Sequence, residues 1–245
     1  MVRPLRSNAL LSFPGLVSHR LPINWWREAG YTGWEAEIRG QQSNLVERAG
    51  IPKNEIKGFR APFLQVGADR QFQVLEDLGF LYESSLPTSI IDPPLWPYTL
   101  DYDTVQECMI GPCPTWSYPG LWEVPLVQYT DVNGVFCTMP DDRRCDNGGT
   151  FESTLKMLED NFLRHYNSNR SPFPIFIHSS FFRIHKHSFK AVETFLDNVL
   201  ARDDVYLTTV SKALDWIRHP VALKNISSLS SWGCGGRGSA RGGGG

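Results

Sequence analysis

Nowhere in the chain do about 18 apolar residues follow one another, so the sequence holds no candidate membrane-spanning helix. An excess of basic charge is missing too. The 24 Lys and Arg residues face 26 Asp and Glu residues, leaving a net charge of -2. Nucleic-acid binding draws on Lys and Arg clustered against phosphates, so that partner class has no support. No glycine-rich loop follows a predicted strand, and a nucleotide-phosphate cradle is therefore not indicated. No Cys-x2-Cys spacing occurs, and no internal repeat is visible. What remains is a chain of 245 residues, 41% hydrophobic and 12% aromatic. That is long enough for one sizeable core, and it is the length of a typical α/β barrel. The aromatic content, with eight Trp, suits a sugar-binding surface and an ordinary core equally.

Cysteine is scarce but patterned. Cys108 and Cys113 form one close pair, Cys137 and Cys145 another, in segments rich in Pro, Gly and Asp. Two short-range disulfides are expected, with zinc as the competing reading. Disulfides imply an oxidising compartment. Cys234 is left over, so its partner is expected to be absent or on another chain. Residues 1–18 do not read as a signal peptide, because the apolar stretch around Leu10 and Leu11 is short and ends at Pro14. Two Asn-x-Ser triplets, at Asn169 and Asn225, agree with secretion. Pro172 directly after the first makes it a poor acceptor.

Helix and strand signals alternate between residues 19 and 219. Helices are expected over Thr32–Ala49, Ala68–Leu78 (stopped by Gly79), Phe151–Tyr166 and Ser188–Ala201, and a last one capped by Ser211. Strands are expected over Ile56–Phe59, from Phe80 to Tyr82, over Trp122–Leu126, over Pro174–His178 and over Val205–Val210. This alternation predicts a parallel sheet with crossover helices, and the length favours a barrel. Residues 1–18 read as an atypical N-terminal segment, 19–223 as the barrel, and 224–245 as a glycine-rich disordered tail.

Chemistry in such a barrel sits at the C-terminal ends of its strands. Arg60 follows the strand ending at Phe59. His178 ends Pro-Ile-Phe-Ile-His, and Asp101 follows Trp-Pro-Tyr-Thr-Leu. An Arg, an Asp and a His together can orient a base, fix an imidazole tautomer and donate a proton. His19 precedes the first long helix as a metal-ligand candidate. The His185-Lys186-His187 triplet reads as a surface segment, and His165 and His219 as near-surface helix positions.

The segments LVSHRLPINWW, IKGFRAPFLQVGADRQFQVLEDLGFLYESSL, LWPYTLDY, CPTWSYPGLWEVPL and FLRHYNSNRSPFPIFIHSSFF, in this order, resemble the arthropod-type chitin deacetylases. These are metal-dependent polysaccharide deacetylases, and the likeness covers about residues 16–220. It implies a deformed (β/α) barrel, secretion, zinc, and hydrolysis of N-acetyl groups on chitin or a related N-acetylglucosamine polymer. Nucleic acid and membrane are not implied as partners. By resemblance, Arg60-Ala61-Pro62-Phe63 is the third of five motifs, Asp101-Tyr102 the fourth and His178 the fifth. Arg60 would orient the base, His178 would protonate the leaving amine, and Asp101 would hold its tautomer. His19 would be one metal ligand, and Pro62, Phe63, Tyr102 and Phe176 would contact substrate.

The family's first motif, Thr-Phe-Asp-Asp, has no counterpart, and Gly15 stands where the first His of His-x-x-x-His belongs. Residues 1–18 contain no Asp, Glu, His or Cys. The resemblance therefore predicts a barrel lacking its first strand, an N-terminally truncated copy of the family. Loss of a general base costs about 10²–10⁴ in rate, and catalytic zinc takes about three protein ligands. Activity is accordingly expected to be impaired. A catalytically inactive chitin-binding protein is the alternative reading.

Overall fold

The computed structural model describes residues 22–232. His19, Cys234 and the segment 1–18 lie outside the described residues. The chain runs through α1 (Asn24–Glu28), α2 (Tyr31–Ala49), β1 (Gly58–Phe59), α3 (Asp69–Asp77), β2 (Tyr82–Glu83), β3 (Pro87–Thr88), β4 (Tyr98–Thr99) and β5 (Trp122–Glu123). It continues through β6 (Leu126–Val127), β7 (Tyr129–Thr130), β8 (Phe136–Cys137), α4 (Phe151–Tyr166), α5 (Ser179–Ile184), α6 (Ser188–Leu200) and α7 (Val210–Arg218).

The central sheet has the order β1-β2-β5-β4. β1, β2 and β5 are parallel, and β4 joins antiparallel. Parallel neighbours need a crossover, and α3 provides it between β1 and β2. Two smaller pairings, β3 with β6 and β7 with β8, extend from it. The α/β alternation is thus present, but the described strands do not close into a barrel. Ile56–Phe59 and Phe80–Tyr82 shrink or shift to two-residue strands, and Trp122–Leu126 splits into β5 and β6. Pro174–His178 and Val205–Thr209 carry no ladder among the described residues. A β-propensity pattern needs a neighbour to pair with, and neither segment has one among the described residues.

Helix ends follow local chemistry. α3 begins at Asp69, because Ala68 has φ 49° and cannot be helical. Gly79 takes φ +73° after its end, the left-handed stop expected of it. α4 opens on a Thr150–Ser153 capping box. α7 is capped by Thr209, whose hydroxyl accepts from Lys212 N at 3.3 Å, and not by Ser211. α5 carries no sequence signal that marked it beforehand.

One core sits between α2, α3 and the sheet, built on Trp26, Trp34, Phe59, Phe72, Leu75 and Leu86. Trp26 and Trp34 lie 5.2 Å apart and Trp34 meets Phe59 edge-on at 6.1 Å. Removing a buried ring of this size costs about 3–5 kcal/mol. Gly67 is dictated by the same packing: a Cβ there would lie 2.0 Å from Trp34 Nε1. A second core joins α4 and α6 through Leu158, Phe162, Phe195 and Val199, with Tyr129 and Cys137 beneath. His165 belongs to this interior at 2% exposure, contrary to its expected near-surface place. Residues 224–232 form short 3-10 turns against α7, where Trp232 Nε1 donates to Lys212 O at 2.9 Å.

Candidate active site

Because β1, β2 and β5 are parallel and in register, the residues after them emerge at one edge of the sheet. Arg60 follows β1 directly. Its Nε donates to Ser84 O at 2.6 Å and its Nη2 to Ser84 Oγ at 3.0 Å. Ser84 Oγ donates onward to Val124 O at 2.7 Å. Three strand ends are thereby tied together. Burial pulls the Arg60 guanidinium down to about 10, and the nearby Glu83, Tyr82 and Glu123 oppose that effect. The Phe176 ring lies 3.8 Å from the guanidinium carbon, so Pro174–His178 crosses above the end of β1.

Two residues on, His178 is 69% exposed while its partner Asp141 is only 3% exposed. Asp141 Oδ2 accepts from the His178 backbone N at 2.8 Å and lies 2.7 Å from Nδ1. That contact places the proton on Nδ1 and turns Nε2 towards solvent. A buried carboxylate behind an exposed imidazole is an arrangement that can pass a proton to a bound molecule. Asp141 lies inside the loop closed by the Cys137–Cys145 disulfide. Both expected disulfides are present, Cys108–Cys113 being the other.

Asp101 does not meet the role expected of it. In the antiparallel β4–β5 pair, Thr99 faces Trp122, so Asp101 lies past the N-terminal end of β5. Arg60 lies at the opposite, C-terminal edge. The Asp101 carboxylate accepts from Thr99 Oγ1 at 2.9 Å and from Gly120 N at 2.6 Å, which closes a loop. The imidazole partner is Asp141 instead. An Asp in a polar, Asp-rich disulfide loop gives no sequence signal that separates it from its neighbour Asp142. Tyr102 is 83% exposed beside Asp101. Pro62 is buried, and Phe63 is 41% exposed. Phe63 and Leu64 take φ of 55° and 56°, a costly pair for non-glycine residues. Such strain is held by the surrounding contacts, of which Ala61 N to Ser85 Oγ at 2.6 Å is one.

Two further residues went unmarked in the sequence. Glu83 and Glu123 are both fully buried below Arg60. Burial raises both carboxyl groups, Glu123 well above the usual range. His185 and His187 rings lie 5.8 Å apart, with His187 Nε2 3.1 Å from Thr154 Oγ1. No group of three His, Cys, Asp or Glu side chains fit to hold a metal ion occurs among the described residues. Those residues therefore do not by themselves fit the zinc that the resemblance implies.

No protein-family model matches the chain. Among curated proteins it is 37% identical over 213 residues to chitin deacetylase 8 of Bombyx mori, covering 84% of this chain and 55% of that protein. It is 27% identical over 226 residues to chitin deacetylase 1 of Bombyx mori, covering 88% of this chain and 41% of that protein. The chain thus spans about half the length of the curated relatives it matches. Over most of its own length, it is a homologue of the arthropod-type chitin deacetylases.

Proposed function

We propose that the chain acts on chitin or a related N-acetylglucosamine polymer and that the reaction is hydrolysis of its N-acetyl groups. The observation that carries this reading is the Asp141–His178 dyad beside Arg60 and Phe176, in a chain homologous to chitin deacetylases. The finer fold reading is a deformed barrel over residues 19–223, with zinc as its ion and His19 as one ligand. The two disulfides and the exposed Asn225 support an extracellular site of action.

The side chains supply the acid half of the chemistry. Water adds to the amide carbonyl, and the tetrahedral carbon then loses the amine nitrogen. A free amine anion is a poor leaving group, so His178 Nε2 gives it a proton as the C–N bond breaks. Asp141 keeps Nδ1 protonated and offsets the positive charge of the imidazolium before transfer. Arg60, held by Ser84, presents a fixed cation to an anionic group at the strand ends. Phe176 and Phe63 offer apolar faces to sugar and acetyl methyl.

The absence of a three-ligand group among the described residues favours a second reading, a chitin-binding protein without catalysis. Acetate release from chitin oligomers by the purified 245-residue chain, with zinc or cobalt added, separates the two. The expected outcome is oligomer binding with acetate release that falls about 10²–10⁴-fold in His178→Ala. Binding without release supports the second reading. Neither binding nor release overturns both.

A further inference from the structure

The fold treats the two Asn-x-Ser triplets in opposite ways. An N-linked glycan is bulky and hydrated, so only an acceptor whose amide faces water can keep one. Asn169 is not such a residue. Its Nδ2 donates to Pro94 O at 2.7 Å, and its Oδ1 accepts from Ser171 N at 3.1 Å. Ser171 is buried, with its Oγ 2.9 Å from His165 Nδ1. Between them Arg170 takes φ 61°, pairs with Asp204 at 3.0 Å and lies over the Tyr166 ring. The whole triplet is built into the turn after α4, and a sugar on Asn169 Nδ2 would crowd the contact with Pro94. Asn225 differs at each point. It lies after α7 in the 3-10 turn Leu223–Ser228, and both Asn225 and Ser227 are exposed. Its hydrogen bonds are main-chain: its N donates to Ala222 O at 2.8 Å, and its O accepts from Ser228 Oγ at 2.7 Å. Its side-chain amide has no hydrogen-bond partner among the described residues. Leu223 and Ile226, on either side of it, line an apolar cleft of about 410 Å³. Leu223, Tyr206 and Leu207 of that lining are exposed. Exposed apolar surface gathered at one mouth invites association unless something covers it.

We propose that Asn225 is N-glycosylated, that Asn169 is not, and that the glycan covers the mouth of the apolar cleft beside α7. Nδ2 of Asn225 bonds to the anomeric carbon of an oligosaccharide carried on a lipid pyrophosphate. The anomeric C–O bond breaks, the lipid pyrophosphate leaves with its electron pair, and Nδ2 gives up one proton. Ser227 supplies the hydroxyl that the acceptor triplet requires. The hydrated chain of sugars then stands over Leu223 at the rim of the cleft. The inference rests on the extracellular site of action proposed above and not on the deacetylase reading.

The test uses the whole chain behind a cleavable signal peptide, expressed in cultured mammalian cells. Peptide-N-glycosidase in heavy-oxygen water leaves a labelled carboxylate wherever an Asn carried a glycan, and peptide mass spectrometry reads both triplets. Expected is label at Asn225 and none at Asn169, with the Asn225 label lost in Ser227→Ala and kept in Ser227→Thr. No label at Asn225, or label at Asn169 as full as at Asn225, overturns the assignment. Chain that stays inside the cells is read in the same way. Fluorescence of anilinonaphthalene sulfonate, which brightens on exposed apolar surface, reads the cover. Removing the glycan enzymatically from the folded chain should raise it about twofold or more, with a smaller rise in Leu223→Ser. Unchanged fluorescence overturns the covering role. The signal peptide imposes entry to the secretory pathway, so a failed extracellular reading cannot cause a missing label. Acetate release plays no part in either readout, so failure of the deacetylase reading is distinguishable as well.

Discussion

His165 is buried among Phe162, Phe173 and Phe195, with Nδ1 2.9 Å from Ser171 Oγ. Burial pulls its pKa down from 6.5 to about 4. The unfolded chain therefore binds a proton near pH 6.5 that the folded chain refuses until about pH 4. Stability is present above pH 6.5 and lost as pH falls through that window, by on the order of 3 kcal/mol. Thermal melts at pH 7 and pH 5 should show this acid loss in the wild type and a smaller one in His165→Asn. At the candidate site, Asp141→Asn removes the charge that steadies the imidazolium. Acetate release should then fall about 10²-fold or more, with chitin-oligomer binding retained. A fall in binding equal to the fall in release would instead mark Asp141 as a structural residue.

At the scale of single elements, the loop from Cys137 to Cys145 joins stability to chemistry. Closing a loop of separation 8 is worth about 2–3 kcal/mol in the chain-entropy account. The double change Cys137→Ala/Cys145→Ala should lower the melting temperature by roughly 5–10 °C. It should also weaken His178-dependent acetate release, because the same loop carries Asp141. Release that is unaffected in a folded double variant would show that other contacts place Asp141. The N-terminus of α4 depends on Thr150, whose hydroxyl accepts from Ser153 N. Thr150→Ala should cost about 1 kcal/mol, measured by denaturant midpoint.

Across the whole molecule, the unevenness of strand pairing matters most. β1, β2 and β5 share ladders, whereas Pro174–His178 and Val205–Thr209 have none among the described residues. The two segments border an apolar cleft of about 410 Å³ lined by Phe173, Ile175, Val205, Leu207 and Trp216. Amide hydrogen exchange should therefore be much faster at Val205–Thr209 than at Tyr82–Ser84. Equal protection of the two groups would mean that Val205–Thr209 is paired in solution. Each segment carries the β-rich pattern of a buried strand, and that pattern by itself provides no partner.

Local signals in the sequence settled the long helices, the Gly79 stop, the two disulfide pairs and the placement of Arg60 after a strand. Each depends on residues close together in the chain, where spacing and backbone preference act directly. The five ordered segments also settled the relationship to chitin deacetylases. The His178 partner is different, because Asp141 and His178 stand 37 residues apart and meet only when the disulfide loop folds against the Phe176 segment. Strand direction decided against Asp101: the antiparallel entry of β4 carries it to the far end of β5. Register decided for Glu83 and Glu123, which read as ordinary charged residues until two parallel strands set them side by side and remove the water around them. Burial, pairing partner and strand direction are properties of the packed chain, and these decided which carboxylates stand near Arg60 and His178.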